Sequence, residues 1–195
     1  MVLKAPPLVF IRHGETDWNV EARLQGQRDI PINARGREQA RRNGAAAKAI
    51  PGVASYDFVA SPLGRSRETM EIVRAVMGLD PSAYRLDDRL REITFGAWEG
   101  FTLDELNVRD SALVAARQKD KWGFLPPGGE SYRALSERVA AWLGDLAGPT
   151  FAVSHGGVGR VLLGLLIGVD SQALVSMDFH QDRILVIENN KADWV

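Results

Sequence analysis

Apolar positions along this chain fall into two rhythms. Short continuous runs, "LVFI" at 8–11, "DFVA" at 57–60 and "TFAV" at 150–153, read as strands covered on both faces, since such a run has no polar side to turn to water. Each stops abruptly at small and polar residues: Arg12-His13-Gly14, Ser61-Pro62-Leu63-Gly64-Arg65, and Ser154-His155-Gly156-Gly157. Between them the spacing turns helical. Asn33 caps a helix running to about Ala49, ahead of Pro51. Ser61 reads as the cap of a helix with Pro62 in its first position, continuing to about Val76 and stopped by Gly78. Thr102 and Glu105 form a capping box for a helix from Leu103 towards Gln118. Tyr132, Leu135, Val139, Trp142 or Leu143, and Leu146 repeat at helical spacing, and Gly156-Gly157 opens another helix, "VGRVLLGLLIG". "RILVIE" at 183–188 is a late strand, and 119–129 reads as a long loop. Strands alternating with helices predict an α/β fold, a three-layer α/β/α sandwich with a mainly parallel central sheet. No repeat, low-complexity tract or shift in composition divides the chain, so 1–195 is expected to be one domain.

In such sheets ligands bind beyond the carboxyl ends of the strands. All three polar turns lie there, so Arg12, His13, Arg65 and His155 are expected to meet in one crevice. Cations at the lip of buried strands are costly to desolvate unless an anion compensates them. Arginine offers a planar fork matching phosphate oxygens, glycine lets the backbone approach closely, and a helix starting there aims N–H groups at the ligand. Neutral imidazole can also attack phosphorus, provided an acid protonates the leaving oxygen.

The totals narrow the partners. Lys and Arg number 24 against 25 Asp and Glu, a net charge of −1, so a basic field suited to nucleic acid is absent. With no cysteine, disulfides, zinc thiolates and a thiol nucleophile are excluded, which fits a cytoplasmic protein. "VLLGLLIGV" at 161–169 is about half of what a bilayer needs, and no signal-peptide pattern is evident, so a soluble, unanchored chain is expected.

The candidate acid is Glu92 in "LREITFGAWEG", flanked by Leu90, Ile93 and Phe95 and so expected to be partly desolvated. Glu99 and Glu15 rival it on composition alone. Each residue also has an ordinary reading: Glu92 as a surface partner of Arg89 or Arg91, Asn19 as a turn cap, a histidine after a strand as a structural hydrogen bonder. Arg35, Arg37, Arg41 and Arg42 share their helix with Glu38 and several alanines and read as a solvated face. Trp98, Trp122 and Phe124 fit either a pocket mouth or the core.

Four motifs in order, "RHGETDWN", "SPLGRSRET", "LREITFGAWEG" and "SHGG", resemble the histidine phosphatase superfamily, which includes the cofactor-dependent phosphoglycerate mutases. "LQGQRDIPINARGREQA" and "PPGGES" join them, and the resemblance runs from about Leu8 to Glu188. It implies that His13 is the nucleophile that becomes phosphohistidine, that Arg12, Arg65 and His155 form the phosphate pocket, and that Glu92 is the proton donor. Asn19 and the backbone at Gly156 match positions that contact phosphate. The resemblance implies no metal and no cofactor, a small-molecule phosphomonoester as partner, and a homodimer. The chain is similar to the short phosphatase branch, with its α-ribazole phosphatases and broad-specificity phosphomonoesterases. A mutase is the alternative, followed by a phosphate-binding module without turnover. "FHQDRILVIE" departs from the family's usual pattern, and His180 or Gln181 there is a candidate specificity element.

Overall fold

The computed structural model of the chain describes residues 2–195. The first apolar run forms β1 (Leu8–Arg12), followed by the one-turn α1 (Asp17–Val20), α2 (Ala34–Ala47), β2 (Asp57–Ala60), α3 (Gly64–Met77) and a short β3 (Arg85–Leu86). Then come α4 (Leu103–Arg109), α5 (Ser111–Lys119), α6 (Tyr132–Gly144), β4 (Thr150–Ser154), α7 (Gly156–Ile167), the one-turn α8 (Ser171–Leu174), β5 (Leu185–Glu188) and β6 (Lys191–Trp194). The six strands lie in the order β3-β2-β4-β1-β5-β6. The first four of these are parallel, while β5 runs antiparallel to β1 and β6 antiparallel to β5.

Strand alternation explains the layers. Leu8, Phe10, Val59 and Ala152 face one side and pack with Leu135, Val139 and Trp142 of α6 and Val158, Val161 and Leu162 of α7. Val9, Ile11, Phe58, Ala60, Phe151 and Val153 face the other side, against Ala47 of α2 and Met70 and Val73 of α3. Each large side chain so buried contributes roughly 1.5–3 kcal/mol, and both layers need the continuous apolar runs seen in β1 and β4. The caps at Asn33, Thr102 with Glu105, and Ser131 are formed, and Gly78 closes α3 at φ 81.

Four expectations are revised. α3 begins at Gly64 with Leu63 as its cap, because the Ser61 hydroxyl is engaged by His155 Nε2 at 2.8 Å. α2 ends at Ala47 rather than Ala49. The helix expected over 103–118 breaks at Asp110, whose carboxylate accepts the Trp98 indole N–H at 3.1 Å and Arg109 Nε–H at 2.9 Å. The "RILVIE" strand starts at Leu185 and turns through Asn189 and Asn190, both at positive φ, into β6.

Register positions the site. Arg12 pairs with Ser154, and Ala60 with Val153. The ladder continues one residue further, with His13 N–H donating to Ser154 O at 2.8 Å and Ser61 N–H to Val153 O at 3.0 Å. His13, Ser61 and His155 therefore leave the sheet side by side at its carboxyl edge.

Candidate active site

The two imidazoles face each other edge to face, ring centroids 5.2 Å apart, and both are buried. His13 Nδ1 lies 2.8 Å from Gly14 O. A carbonyl only accepts, so Nδ1 carries the proton and Nε2 the lone pair. Arg65 Nε–H donates to that Nε2 at 3.2 Å, while its two terminal nitrogens donate to Arg28 O at 2.6 Å and Gly26 O at 2.7 Å. A fully buried guanidinium is thus held rigid against the imidazole. Arg12 donates through NH1 to Phe179 O at 2.8 Å. Its Nε is buried without a partner, as is His155 Nδ1. Such groups each cost about 1–3 kcal/mol in a closed site, and an anion seated beside the imidazole pair would give the Arg12 Nε–H an acceptor.

The same crowding sets the charge states. Burial, then Arg65 and Arg12, push His13 well below the ordinary histidine value. Burial, then Arg65, His13, Arg12 and Arg138, do the same to His155. Both rings are neutral at neutral pH. Burial and Arg160 push Arg12 down to about 10, still charged. The site therefore offers a neutral imidazole among guanidinium charges.

Arg12, His13, Asn19, Arg65 and Glu92 line one cleft of about 130 Å³, small beside the ~300–1,000 Å³ of drug-sized sites. Over residues 8–195 the chain matches the sequence profile of the histidine phosphatase superfamily (branch 1). The chain belongs to that superfamily. A protein named "Probable phosphoglycerate mutase GpmB" from Salmonella paratyphi C is 32% identical to it over 95% of this chain and 86% of its own length. The structure is similar to that of the alpha-ribazole phosphatase from Shigella flexneri, with a TM-score of 0.82 and 28% identity, covering 97% of this chain and 94% of that one. TTHB049 from Thermus thermophilus gives a TM-score of 0.73 at 35% identity, covering 94% and 93%.

In this histidine phosphatase superfamily member the three candidate acids sort by position. Glu99 is occupied elsewhere: its Oε1 accepts from Gln27 N–H, Thr94 Oγ1–H and Phe95 N–H at 3.0, 2.8 and 3.1 Å. Glu15 is held by Asn33 Nδ2 at 3.1 Å. Glu92 is the acidic side chain in the cleft lining. Its Oε1 accepts Ile93 N–H at 2.9 Å and its Oε2 accepts Gly157 N–H at 3.1 Å. It does not pair with Arg89 or Arg91, which hold Asp87 and Asp88. A Cβ at Gly157 would overlap Glu92 Oε1, so glycine there is what lets the carboxylate rest on the start of α7.

Asn19 completes the cap of α1 and also lines the cleft. Its Oδ1 accepts from Thr16 N–H in a capping box and from Gln181 Nε2–H, each at 3.1 Å. Gly156 opens α7 next to Arg12, where a Cβ would lie 3.4 Å from Nε. His155, expected in the pocket, is fully buried and is not among the residues lining the cleft; its Nε2 is held by the Ser61 and Ser66 hydroxyls at 2.8 and 3.3 Å. Of the late pair, Gln181 reaches the site, donating also to His13 O at 3.1 Å. His180 is exposed and packs edge-on against Trp194. Trp98 is core, stacked on Phe124, and Trp122 stacks on Tyr132.

Sequence reasoning missed Arg160, Tyr132 and Arg23 in the cleft lining. Arg160 lies one helical turn beyond Gly156, a spacing that signals a shared face. No group of three or more His, Cys, Asp or Glu among the described residues is arranged to hold a metal ion. No helix among them is long and apolar enough to cross a membrane.

Proposed function

We propose that this chain is a metal-independent phosphomonoester hydrolase working through phosphohistidine at His13. The observation that carries the reading is the pairing, in one cleft, of an imidazole whose Nε2 lone pair is oriented by the Gly14 carbonyl and Arg65 with the Glu92 carboxyl. The Nε2 lone pair forms a bond to phosphorus as the P–O ester bond breaks. The electron pair leaves on the alcohol oxygen, which takes a proton from the Glu92 carboxylic acid. Arg12, Arg65, the Asn19 amide and the Gly156 N–H bear the charge on the equatorial oxygens. Water then attacks phosphorus, giving its proton to the Glu92 carboxylate, and the P–N bond breaks to release phosphate.

The similarity to the alpha-ribazole phosphatase supports hydrolysis. The relative named for phosphoglycerate mutase favours a second reading, in which the phosphoryl group returns to another oxygen of the same substrate. Phosphate release from a panel of phosphomonoesters in chelator, with His13→Ala as control, tests the first. Activity lost to chelator, or kept by His13→Ala, rejects it. Primer-dependent isomerisation of phosphoglycerate without phosphate release would establish the mutase instead.

A further inference from the structure

The segment joining α8 to β5 reaches the site at every second residue. Met177 O accepts Arg160 Nε–H at 2.7 Å, and Phe179 O accepts Arg12 NH1 at 2.8 Å. Gln181 Nε2 donates to His13 O and to Asn19 Oδ1, both at 3.1 Å. The segment is itself anchored. The buried Phe179 ring packs edge-on against Phe10 and Trp194, centroids 5.6 and 4.9 Å away. A Cβ at Gly159 of α7 would overlap that ring, so glycine there gives it room. From the other face of the sheet, Asn43 of α2 donates through Nδ2 to Gln181 O at 3.0 Å.

What Gln181 holds is specific. His13 O belongs to the His13–Gly14 peptide, whose N–H donates to Thr69 Oγ1 at 3.1 Å. That peptide is therefore clamped at both ends. The next carbonyl, Gly14 O, is the one that meets His13 Nδ1 at 2.8 Å, so rotation of the clamped plane would move the acceptor that sets the imidazole tautomer. At Asn19, Oδ1 also takes Thr16 N–H and Thr16 Oγ1–H, each at 3.1 Å. Three donors on one oxygen fix which branch of the amide is which. The NH2 branch is then the part that can donate to an anion in the cleft Asn19 lines. Gln181 is not among the cleft-lining residues, and its two N–H bonds are its route to the chemistry.

We propose that Gln181 is a positioning residue of the reaction: its amide bridges His13 and Asn19, holding the attacking imidazole and the Asn19 amide in register for one phosphoryl group. This rests on the reading of the His13 cleft as the phosphoryl site. The bridge makes the nucleophile's own peptide and a phosphate contact one rigid unit, and rigidity of that kind governs rate where catalysis is mostly placement.

Gln181→Met, which keeps the length of the side chain but has no donor, tests it. Calorimetric titration with inorganic phosphate is paired with kcat/KM on 4-nitrophenyl phosphate. The variant should bind phosphate about tenfold more weakly at unchanged stoichiometry, and kcat/KM should fall by roughly 10–100-fold. A side chain that only supports the fold would instead lower the stoichiometry and leave the Kd of the folded fraction alone. Because the bridge acts through Asn19, Gln181→Met on an Asn19→Ala background should weaken phosphate binding further by less than about threefold. Phosphate affinity and kcat/KM both at wild-type level in Gln181→Met overturn the proposal. So does a lowered stoichiometry with unchanged Kd, or the full loss of affinity repeated on the Asn19→Ala background. Should Gln181→Met fail to fold, Gln181→Ala decides by the same criteria. A wild type that binds phosphate and turns over, beside a Gln181→Met that does both equally well, rejects the bridge alone. A wild type that does neither rejects the phosphoryl site and the bridge together.

Discussion

Gly157→Ala separates the catalytic account from a merely structural one. The added Cβ would overlap Glu92 Oε1 and lie 3.2 Å from Glu92 Cδ, so the carboxylate must leave the start of α7. What moves is the end of a half-buried side chain, not backbone, and the fold should survive. Displacement forfeits the hydrogen bonds from Ile93 N–H and Gly157 N–H, each worth about 1.5–3 kcal/mol to a charged acceptor. Water recovers part of this, and alanine in place of glycine in a helix returns about 1 kcal/mol. The net loss of stability should stay below about 5 kcal/mol, the most that two such bonds less the alanine gain would cost. Misplacing a general acid, by contrast, costs roughly 10²–10⁴ in rate when the leaving group is an alcohol. A nitrophenolate leaves with little protonation and should suffer far less. The assay is kcat on an alkyl phosphate and on 4-nitrophenyl phosphate, beside a urea unfolding curve. Equal losses on both substrates, or an unchanged alkyl phosphate rate, would refute the reasoning.

Three further outcomes follow from the site. His13 and His155 are neutral when folded, so below about pH 6.5 the unfolded chain binds protons that the folded chain refuses, and stability falls as pH falls. Urea unfolding should show a loss of roughly 2–3 kcal/mol between pH 6 and pH 5, and a flat profile there would contradict the buried neutral pair. Ser61→Ala removes the 2.8 Å partner of His155 Nε2; it should cost about 1–2 kcal/mol and weaken inhibition by inorganic phosphate, whereas wild-type inhibition would sever Ser61 from the pocket. Arg65→Lys cannot reproduce the bonds to Gly26 O, Arg28 O and His13 Nε2 together; kcat/KM should drop by about 10² or more, and a drop under tenfold would mean that charge alone suffices.

The legible parts of the fold were those with a one-dimensional cause. β1, β2 and β4 are buried on both faces, so their apolar runs and the turns that end them stood out in the sequence. Asn33 and the Thr102–Glu105 box act within one helical turn and are equally local. The break at Asp110 was hidden, because its cause is the indole of Trp98, twelve residues earlier in the chain. Ser61 carries a cap signature, yet its hydroxyl belongs to His155 from another strand. β3 has two residues, both exposed, and exists only through pairing with β2. The turn into β6 went unread, although Asn189-Asn190 is a pair suited to the left-handed region. At the site, Arg12, His13, Arg65 and His155 meet because parallel strands end at one edge. No pattern distinguishes Gln181, which reaches His13, from its neighbour His180, which turns to solvent. That choice depends on how the chain enters β5.

The central claim is that His13 Nε2 takes the phosphoryl group. It is tested most directly by mixing the protein with a radiolabelled phosphomonoester, quenching in alkali, where phosphohistidine persists, and mapping the label by mass spectrometry of peptides. The account predicts label on the peptide containing His13, none in His13→Ala, and rapid discharge when unlabelled substrate is added in excess. Phosphate release with no label on the protein, or label that survives His13→Ala, would contradict it.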